Sequence, residues 1–195
     1  MSRLFSGPIL LVTSLLALSS ILSGCTAVIG AGATVGVAAA QERGIKGRAS
    51  DLQIEALVLE QFVKAGFKLT ATIGAEVYEG RVLLTGASMD TKITDQAVAL
   101  TWKVDGVKEV LNEIQVGKAT GVSDFAQDTW ITAQVKSKFT FDENIYSINY
   151  VVETVNGTVY LIGIAQDKAE HDRAKQHVAQ VKFVRNVISH VRIKK

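Results

Sequence analysis

The chain contains one cysteine, Cys25, and three histidines, which are the side chains best suited to nucleophilic or metal chemistry. His171 and His177 are six residues apart, so they do not share a helix face as ligands at i and i+4 would. His190 stands alone, no serine lies in a Gly-x-Ser-x-Gly motif, and the carboxylates show no paired arrangement. We therefore expect no enzyme, no metal site and no cofactor.

Cys25 ends an N-terminal stretch that has the layout of a secretory signal. Arg3 precedes a mostly apolar run over residues 9–22, which leads into Leu22-Ser23-Gly24-Cys25, a lipobox. The run is too short and too rich in Ser and Thr for a spanning helix. A chance cysteine in an ordinary signal peptide is the alternative. Because a single cysteine cannot form a disulfide within the chain, lipidation accounts for it better.

This pattern resembles bacterial lipoprotein precursors. The resemblance implies that residues 1–24 are removed as a signal peptide and that Cys25 is acylated, with palmitate among the chains. Several acyl chains anchor a protein durably, since each buried CH₂ contributes ~0.8 kcal/mol. Thr26 in place of Asp implies the outer membrane, facing the periplasm. We predict that residues 25–50, rich in Ala and Gly and then polar, form a flexible tether.

The rest of the chain is an internal repeat. The turn, strand and closing glycine of residues 78–86 return at residues 155–163, with Gly80 and Gly157 standing 77 residues apart. A tandem duplication explains this register, and we assign repeat 1 to residues 51–116, a linker to 117–127 and repeat 2 to 128–193. The same offset aligns Asp51 with Asp128, Ile54 with Ile131, Val58 with Val135, Phe62 with Phe139 and Gly86 with Gly163.

Each repeat is predicted to have the order αββαβ, an α+β fold with a three-stranded mixed sheet and two helices on one face. The first helices are expected to begin at Asp51, whose side chain can cap its helix, and at Asp128. Asn156-Gly157 is a strong hairpin signal and Glu79-Gly80 a weaker one. We interpret Gly80, Gly86, Gly157 and Gly163 as structural glycines.

Composition indicates a folded protein whose two halves dock. The chain is 48% hydrophobic and 21% charged. A repeat of this size hides only about 60% of its unfolded surface alone, so the halves are expected to pack together. Repeat 1 has six basic and ten acidic residues, whereas repeat 2 has eight and seven, followed by Lys194 and Lys195. A basic half suits an anionic partner, although surface solvation explains the asymmetry equally well.

Trp130 is predicted to point away from the core. At about 100° per residue it lies on the side of its helix opposite Ile131, Val135 and Phe139. Repeat 1 has Gln53 there, so the fold does not require an aromatic residue. An outward Trp suits a membrane interface, and Lys136 and Lys138 lie further along the same helix.

Two αββαβ repeats behind a lipobox resemble the BON-domain family. Each repeat has a Gly-x-hydrophobic-x-hydrophobic-x-Gly strand, and residues 104–107 and 181–184 form matching Val-x-Gly-Val and Val-x-Phe-Val corners. Repeat 2 departs from the pattern at Phe183, where repeat 1 has Gly106, which leaves the geometry of that corner open.

The resemblance implies a non-enzymatic outer-membrane lipoprotein that binds anionic phospholipid through the first helix of the second domain and supports envelope integrity. It places lipid binding on Trp130, Gln134, Ser137, Lys138 and Phe125. Two alternatives stay open. Trp130 could instead fill a groove between the domains, and the protein could be a periplasmic scaffold whose exposed sheet or Trp face docks on outer-membrane assembly or cell-wall proteins. No nucleic-acid partner is expected.

Overall fold

The computed structural model describes residues 38–195, so Cys25, the expected signal peptide and the first half of the expected tether lie outside the described residues. Two domains follow one another. Domain 1 contains α1 (Gly44–Ala65), α2 (Phe67–Thr72), β1 (Ile73–Tyr78), β2 (Arg81–Ser88), α3 (Thr91–Thr101) and β3 (Glu109–Val116). Domain 2 contains α4 (Val122–Thr140), a 3₁₀ turn (Ser147–Asn149), β4 (Tyr150–Val155), β5 (Thr158–Ala165), α5 (Lys168–Ala179) and β6 (Asn186–Ile193).

The two sheets have the same topology, which confirms the predicted α+β fold. In domain 1, β2 pairs antiparallel with β1 and parallel with β3. In domain 2, β5 pairs in the same way with β4 and β6. Each sheet packs one face on its two long helices, and the two cores contain equivalent helix residues: Ile54, Val58 and Phe62 in domain 1, and Ile131, Val135 and Phe139 in domain 2. Among the described residues, no helix combines the length and apolar character needed to cross a bilayer.

The first helix of each domain begins earlier than predicted, and its aspartate does not cap it. Asp51 lies inside α1, where its carboxylate accepts hydrogen bonds from Glu79 N at 2.8 Å and Gly80 N at 2.9 Å. Asp128 lies inside α4, which begins at Val122 within the expected linker. Its carboxylate accepts from Asn156 N at 2.6 Å and Gly157 N at 2.8 Å. The predicted capping role of Asp51 is therefore wrong, and both aspartates tie a helix to a hairpin turn.

Residues 41–50 are not a flexible tether. They include the first turns of α1, and Gln41 Nε2 donates to Ile148 O in domain 2 at 2.7 Å. Arg43 Nη1 donates to Asp51 at 2.6 Å and to Val77 O at 3.0 Å, with its guanidinium over the Tyr78 ring. Residues 41–43 therefore bond to both domains, which composition alone did not reveal.

The two sheets pack against each other through the faces that carry no helix, so the halves dock as expected. Tyr78, Leu83, Tyr160 and Ile162 form the core between them. Polar bonds cross the same interface: Arg81 donates to His190 O at 2.8 Å, His190 Nε2 contacts Glu113 at 2.8 Å, and Gln115 Nε2 donates to Val155 O at 3.0 Å. The expectation of an exposed sheet face for scaffold docking is wrong, because each domain covers the other's sheet.

Gly163 sits where no other residue fits. Its φ is +150°, and a Cβ built on it would lie 2.0 Å from Asn149 O. Gly86 is in the same situation in domain 1, with φ of +139° and Thr72 O at 2.2 Å. In both domains the carbonyl of the residue just before the neighbouring strand, Asn149 before β4 or Thr72 before β1, lies too close to the glycine for a side chain.

Gly163→Ala should lower the melting temperature by about 6–12 °C, because backbone strain and a main-chain clash together cost roughly 3 kcal/mol. Circular dichroism melting measures this. Gly74→Ala is the matched control, since a Cβ on Gly74 would lie 3.4 Å from Thr85 Oγ1, an ordinary contact. An unchanged melting temperature for Gly163→Ala would contradict the structural role.

Candidate functional site

The outer side of α4 carries most of the residues predicted to bind lipid. The helix buries Asp128, Ile131, Val135 and Phe139 against domain 2. A helix turns by about 100° per residue, so Trp130, Gln134 and Ser137 fall together on the side away from this core. Trp130, Gln134 and Ser137 are exposed and Lys138 is half-buried. We call Trp130, Gln134, Ser137, Lys138 and Phe141 the α4 outer face.

Trp130 packs on Phe183 of its own domain and remains 43% exposed. The two ring centroids are 5.9 Å apart at 69°, an edge-to-face pair. Phe183 is itself 48% exposed, and Lys182 Nζ lies 4.6 Å from the centre of its ring. The indole is therefore not buried between the domains, and it forms half of an exposed aromatic pair with a cation beside it.

The backbone of Phe183 adopts a conformation that is unfavourable for a residue with a bulky side chain. Its φ is +70°, a left-handed value that bulky residues rarely adopt, whereas Gly106 at the equivalent corner of domain 1 has φ of +92°. Such a residue costs on the order of 1–3 kcal/mol, and strain of this kind clusters at functional sites. The corner thus keeps the geometry of glycine while presenting an aromatic ring.

Phe141 extends the α4 outer face at its C-terminal end. It is 83% exposed and lies eleven residues after Trp130, within about 20° of it around the helix. Beside it, Asp142 accepts from Arg173 Nε at 2.6 Å and contacts His177 Nε2 at 2.5 Å. The Arg173 hydrogen bond, with that of His177, lowers the pKa of Asp142, so this carboxylate stays ionised and paired.

Phe125 does not share the α4 outer face. It precedes Trp130 by five residues, which places it about 140° away around the helix. It borders a groove between the domains, lined also by Gly86, Thr154 and Val155. Sequence reasoning missed Phe183, Lys182 and Phe141. The replacement of Gly106 by Phe183 between the repeats was the available signal for the first of these.

The BON domain pattern matches residues 50–118 and again residues 127–195. The chain belongs to the BON-domain family.

Three known proteins are similar to this chain over more than the length of one BON domain. Outer membrane lipoprotein DolP of Haemophilus influenzae is 33% identical over 184 residues, which cover 93% of this chain and 94% of DolP. An uncharacterized protein of Anaplasma centrale is 42% identical over 64% of this chain and 83% of its own length. A 21 kDa hemolysin of Actinobacillus pleuropneumoniae is 33% identical over 75% and 78%. The chain is thus a DolP-like protein with two BON domains, and homology to DolP supports an outer-membrane lipoprotein.

The two BON domains bring like charges together on the side of α4 away from Trp130. Glu76 on β1 and Glu153 on β4 are equivalent residues of the two repeats. Burial, then the charges of Glu153 and Glu55, raise the pKa of Glu76 to about 7, while Lys136 and Arg48 act in the opposite direction. Burial also raises the pKa of Glu153, which Lys136 lowers. Lys136 therefore interacts with the carboxylates of Glu76 and Glu153, which we call the acidic cluster together with Glu55, and does not belong to the α4 outer face.

The stability of the protein should fall as pH rises from about 4.5 to about 7. The folded state holds the proton of Glu76 more tightly than the unfolded state, where the ordinary value of 4.5 applies. This stabilisation is complete below the unfolded pKa and is lost as the folded pKa is passed. Glu76→Gln should raise the melting temperature at pH 8 by about 2–8 °C and flatten the profile. Melting curves between pH 4 and pH 8, on the order of one per half unit, measure this.

Glu143→Gln is the control for this prediction, because Glu143 is exposed on a domain 2 loop. It should keep the profile of the unsubstituted protein. An equally steep profile in Glu76→Gln would show that the carboxylate does not titrate in this range.

Proposed function

We propose that this BON-domain protein is a non-enzymatic lipoprotein, anchored in the outer membrane through Cys25 and facing the periplasm, that binds anionic phospholipid through domain 2. In this role it supports the integrity of the envelope. The observation that carries the proposal is the exposed Trp130–Phe183 pair, held outward by a strained backbone at Phe183.

The pair has the chemistry of a membrane-interface anchor. Aromatic side chains with a polar group, such as Trp, favour the headgroup region of a bilayer, where the ring is desolvated and the N–H stays hydrated. Phe183 adds apolar area beside the indole, and Phe141 adds more at the far end of α4. These rings form one exposed edge of the domain, which suits shallow insertion better than the binding of a small molecule.

Cations beside the rings favour an anionic surface. Lys182 lies over the Phe183 ring, and Lys138 lies on the α4 outer face. A basic residue near an anionic leaflet contributes about 1 kcal/mol, and salt screens the attraction. Gln134 and Ser137 can donate hydrogen bonds to phosphate oxygens at the same depth. We propose these side chains as headgroup contacts, and we leave Phe125 out because it faces the groove between the domains.

Vesicle flotation tests the proposal. Residues 25–195 carrying Cys25→Ser, which removes the acyl anchor, should float with phosphatidylglycerol vesicles and much less with phosphatidylcholine vesicles. Trp130→Ala should weaken binding by about tenfold or more, since a large ring no longer enters the interface. Trp102→Ala is the matched control, because Trp102 is at least as exposed as Trp130 but belongs to domain 1. Full binding by Trp130→Ala would reject the site.

Phe183→Gly separates lipid binding from stability. Glycine adopts the positive φ of this corner without strain, so the melting temperature should stay the same or rise. Vesicle binding should nevertheless fall severalfold, because the ring is gone. A variant that melts higher yet binds vesicles as before would show that Phe183 has no part in the site. If Phe183→Gly binds vesicles normally while it is folded and loses binding only when it unfolds, the ring has no role in lipid binding.

If the protein binds no vesicles but the same substitutions abolish capture of outer-membrane assembly or cell-wall proteins, the α4 outer face is a protein-docking surface instead. That result would reject phospholipid binding and support a periplasmic scaffold function.

A further inference from the structure

Helix α1 has a second apolar face that is exposed among residues 38–195. Its buried residues, Ile54, Val58 and Phe62, face the core of domain 1. On the other side, six exposed apolar residues follow one another at alternating intervals of four and three residues. We call them the α1 seam: Ile45, Ala49, Leu52, Ala56, Leu59 and Val63.

The spacing of the α1 seam is that of a coiled coil. Intervals of four and three residues over the 22 residues of α1 place Ile45, Leu52 and Leu59 at d positions of a heptad. Ala49, Ala56 and Val63 then occupy the a positions. Large residues thus alternate with small ones along the seam, which allows a second helix to approach closely. The six side chains fall within about 80° of the helix circumference, a narrow stripe.

The fold itself does not require this stripe. Helix α4 is the equivalent helix of domain 2, and it places Thr129, Lys136 and Thr140 where the α1 seam has Leu52, Leu59 and Val63. The other three equivalent positions of α4 are apolar (Val122, Ala126 and Ala133), so α4 keeps part of the stripe but interrupts it with polar residues, and only α1 has it unbroken. The stripe is therefore an independent feature of domain 1.

We propose that the α1 seam pairs antiparallel with the α1 seam of a second copy of this chain. A two-fold axis between Leu52 and Ala56 sets Ile45 against Val63 of the second copy, Ala49 against its Leu59, and Leu52 against its Ala56. Each layer then joins one a position to one d position, as antiparallel coiled coils require. Such an interface is isologous, since each contact occurs twice.

Charge at the edge of the seam selects the antiparallel direction. Lys46, Gln53 and Glu60 occupy the e positions, and e positions face one another in an antiparallel pair. Lys46 then meets Glu60 of the second copy, twice, and Gln53 meets its own counterpart at the axis. A parallel pair offers no such match of e positions. The other flank, with Glu55, faces the acidic cluster of its own molecule.

A lipid surface fits the α1 seam less well than a second helix. Helices that lie in a bilayer interface have a broad apolar face, often with aromatic residues, and a basic polar face. The seam is narrow and has no aromatic residue. The helix around it has three basic and three acidic residues, Lys46, Arg48 and Lys64 against Asp51, Glu55 and Glu60.

Sedimentation equilibrium tests the pairing. Residues 25–195 with Cys25→Ser should form a concentration-dependent dimer, and Leu52→Asp should weaken it at least tenfold without changing the melting temperature of the monomer. Met89→Asp is the control, because Met89 is an exposed apolar residue away from α1. A protein that stays monomeric to millimolar concentration overturns the proposal. So does a Leu52→Asp variant that loses vesicle binding while no dimer exists, since the seam then meets lipid.

Charge reversal tests the direction. Lys46→Glu and Glu60→Lys should each weaken the dimer, because each places like charges against one another. The double variant should restore it, since the opposite charges then meet again with their signs exchanged. A double variant as weak as either single one would reject the antiparallel register.

Cysteine crosslinking tests the same register in the full lipidated chain in membranes, where acylation occupies Cys25. Gln53→Cys should form a disulfide with its own counterpart, because residue 53 lies at the axis. Lys46→Cys alone should not, since the two residues 46 would be about 21 Å apart along the helices. A mixture of Lys46→Cys and Glu60→Cys chains should crosslink. Efficient crosslinking of Lys46→Cys to itself, or none by Gln53→Cys, would overturn the pairing.

Discussion

Each domain depends on a buried aspartate that receives two backbone N–H groups from a hairpin turn. Asp51 accepts from Glu79 and Gly80 across 28 and 29 residues of chain. A buried carboxylate is costly unless it is hydrogen-bonded, and bonds to a charged acceptor are stronger than neutral ones. The turn must therefore point both N–H groups inward, and φ of +56° at Glu79 and +76° at Gly80 does so. One carboxylate fixes the helix, the turn and the register of the strands that follow.

This interaction explains what could be predicted from the sequence and what could not. The repeat, the hairpin glycines and the apolar periodicity are local signals, so they predicted the sheets and the buried helix faces. A capping aspartate and a turn-binding aspartate use the same chemistry, a carboxylate that accepts N–H groups. The sequence alone does not say whether those groups belong to the start of the same helix or to a distant turn. Reading Asp51 as a cap placed the start of α1 seven residues too late, at residue 51 rather than Gly44.

The candidate site also has one feature that the sequence predicted and one that it did not. The outward direction of Trp130 follows from helical periodicity and was predictable. Its contact with Phe183 joins residues that are distant in sequence and depends on a corner with positive φ, which no periodicity reports. Phe125 was assigned to the site because it is near Trp130 in sequence, but rotation around α4 separates the two. Proximity in sequence is a poor guide on a helix, where five residues turn the direction of a side chain by about 140°.

The duplication allows the two domains to differ on the surfaces that take no part in the contact between the two sheets. Docking of the sheets covers one face of each domain, and the helices cover the other, so new contacts must form on outer helix faces and corners. Domain 2 has Trp130 and Phe183 where domain 1 has Gln53 and Gly106. Domain 1 has the continuous α1 seam where Thr and Lys residues interrupt the apolar stripe of α4. On the two proposals together, pairing through α1 brings two aromatic faces into one particle. Both faces can meet the same bilayer only when the two-fold axis lies along the membrane normal. In that orientation the second contact becomes intramolecular, and two weak lipid sites bind as one strong site.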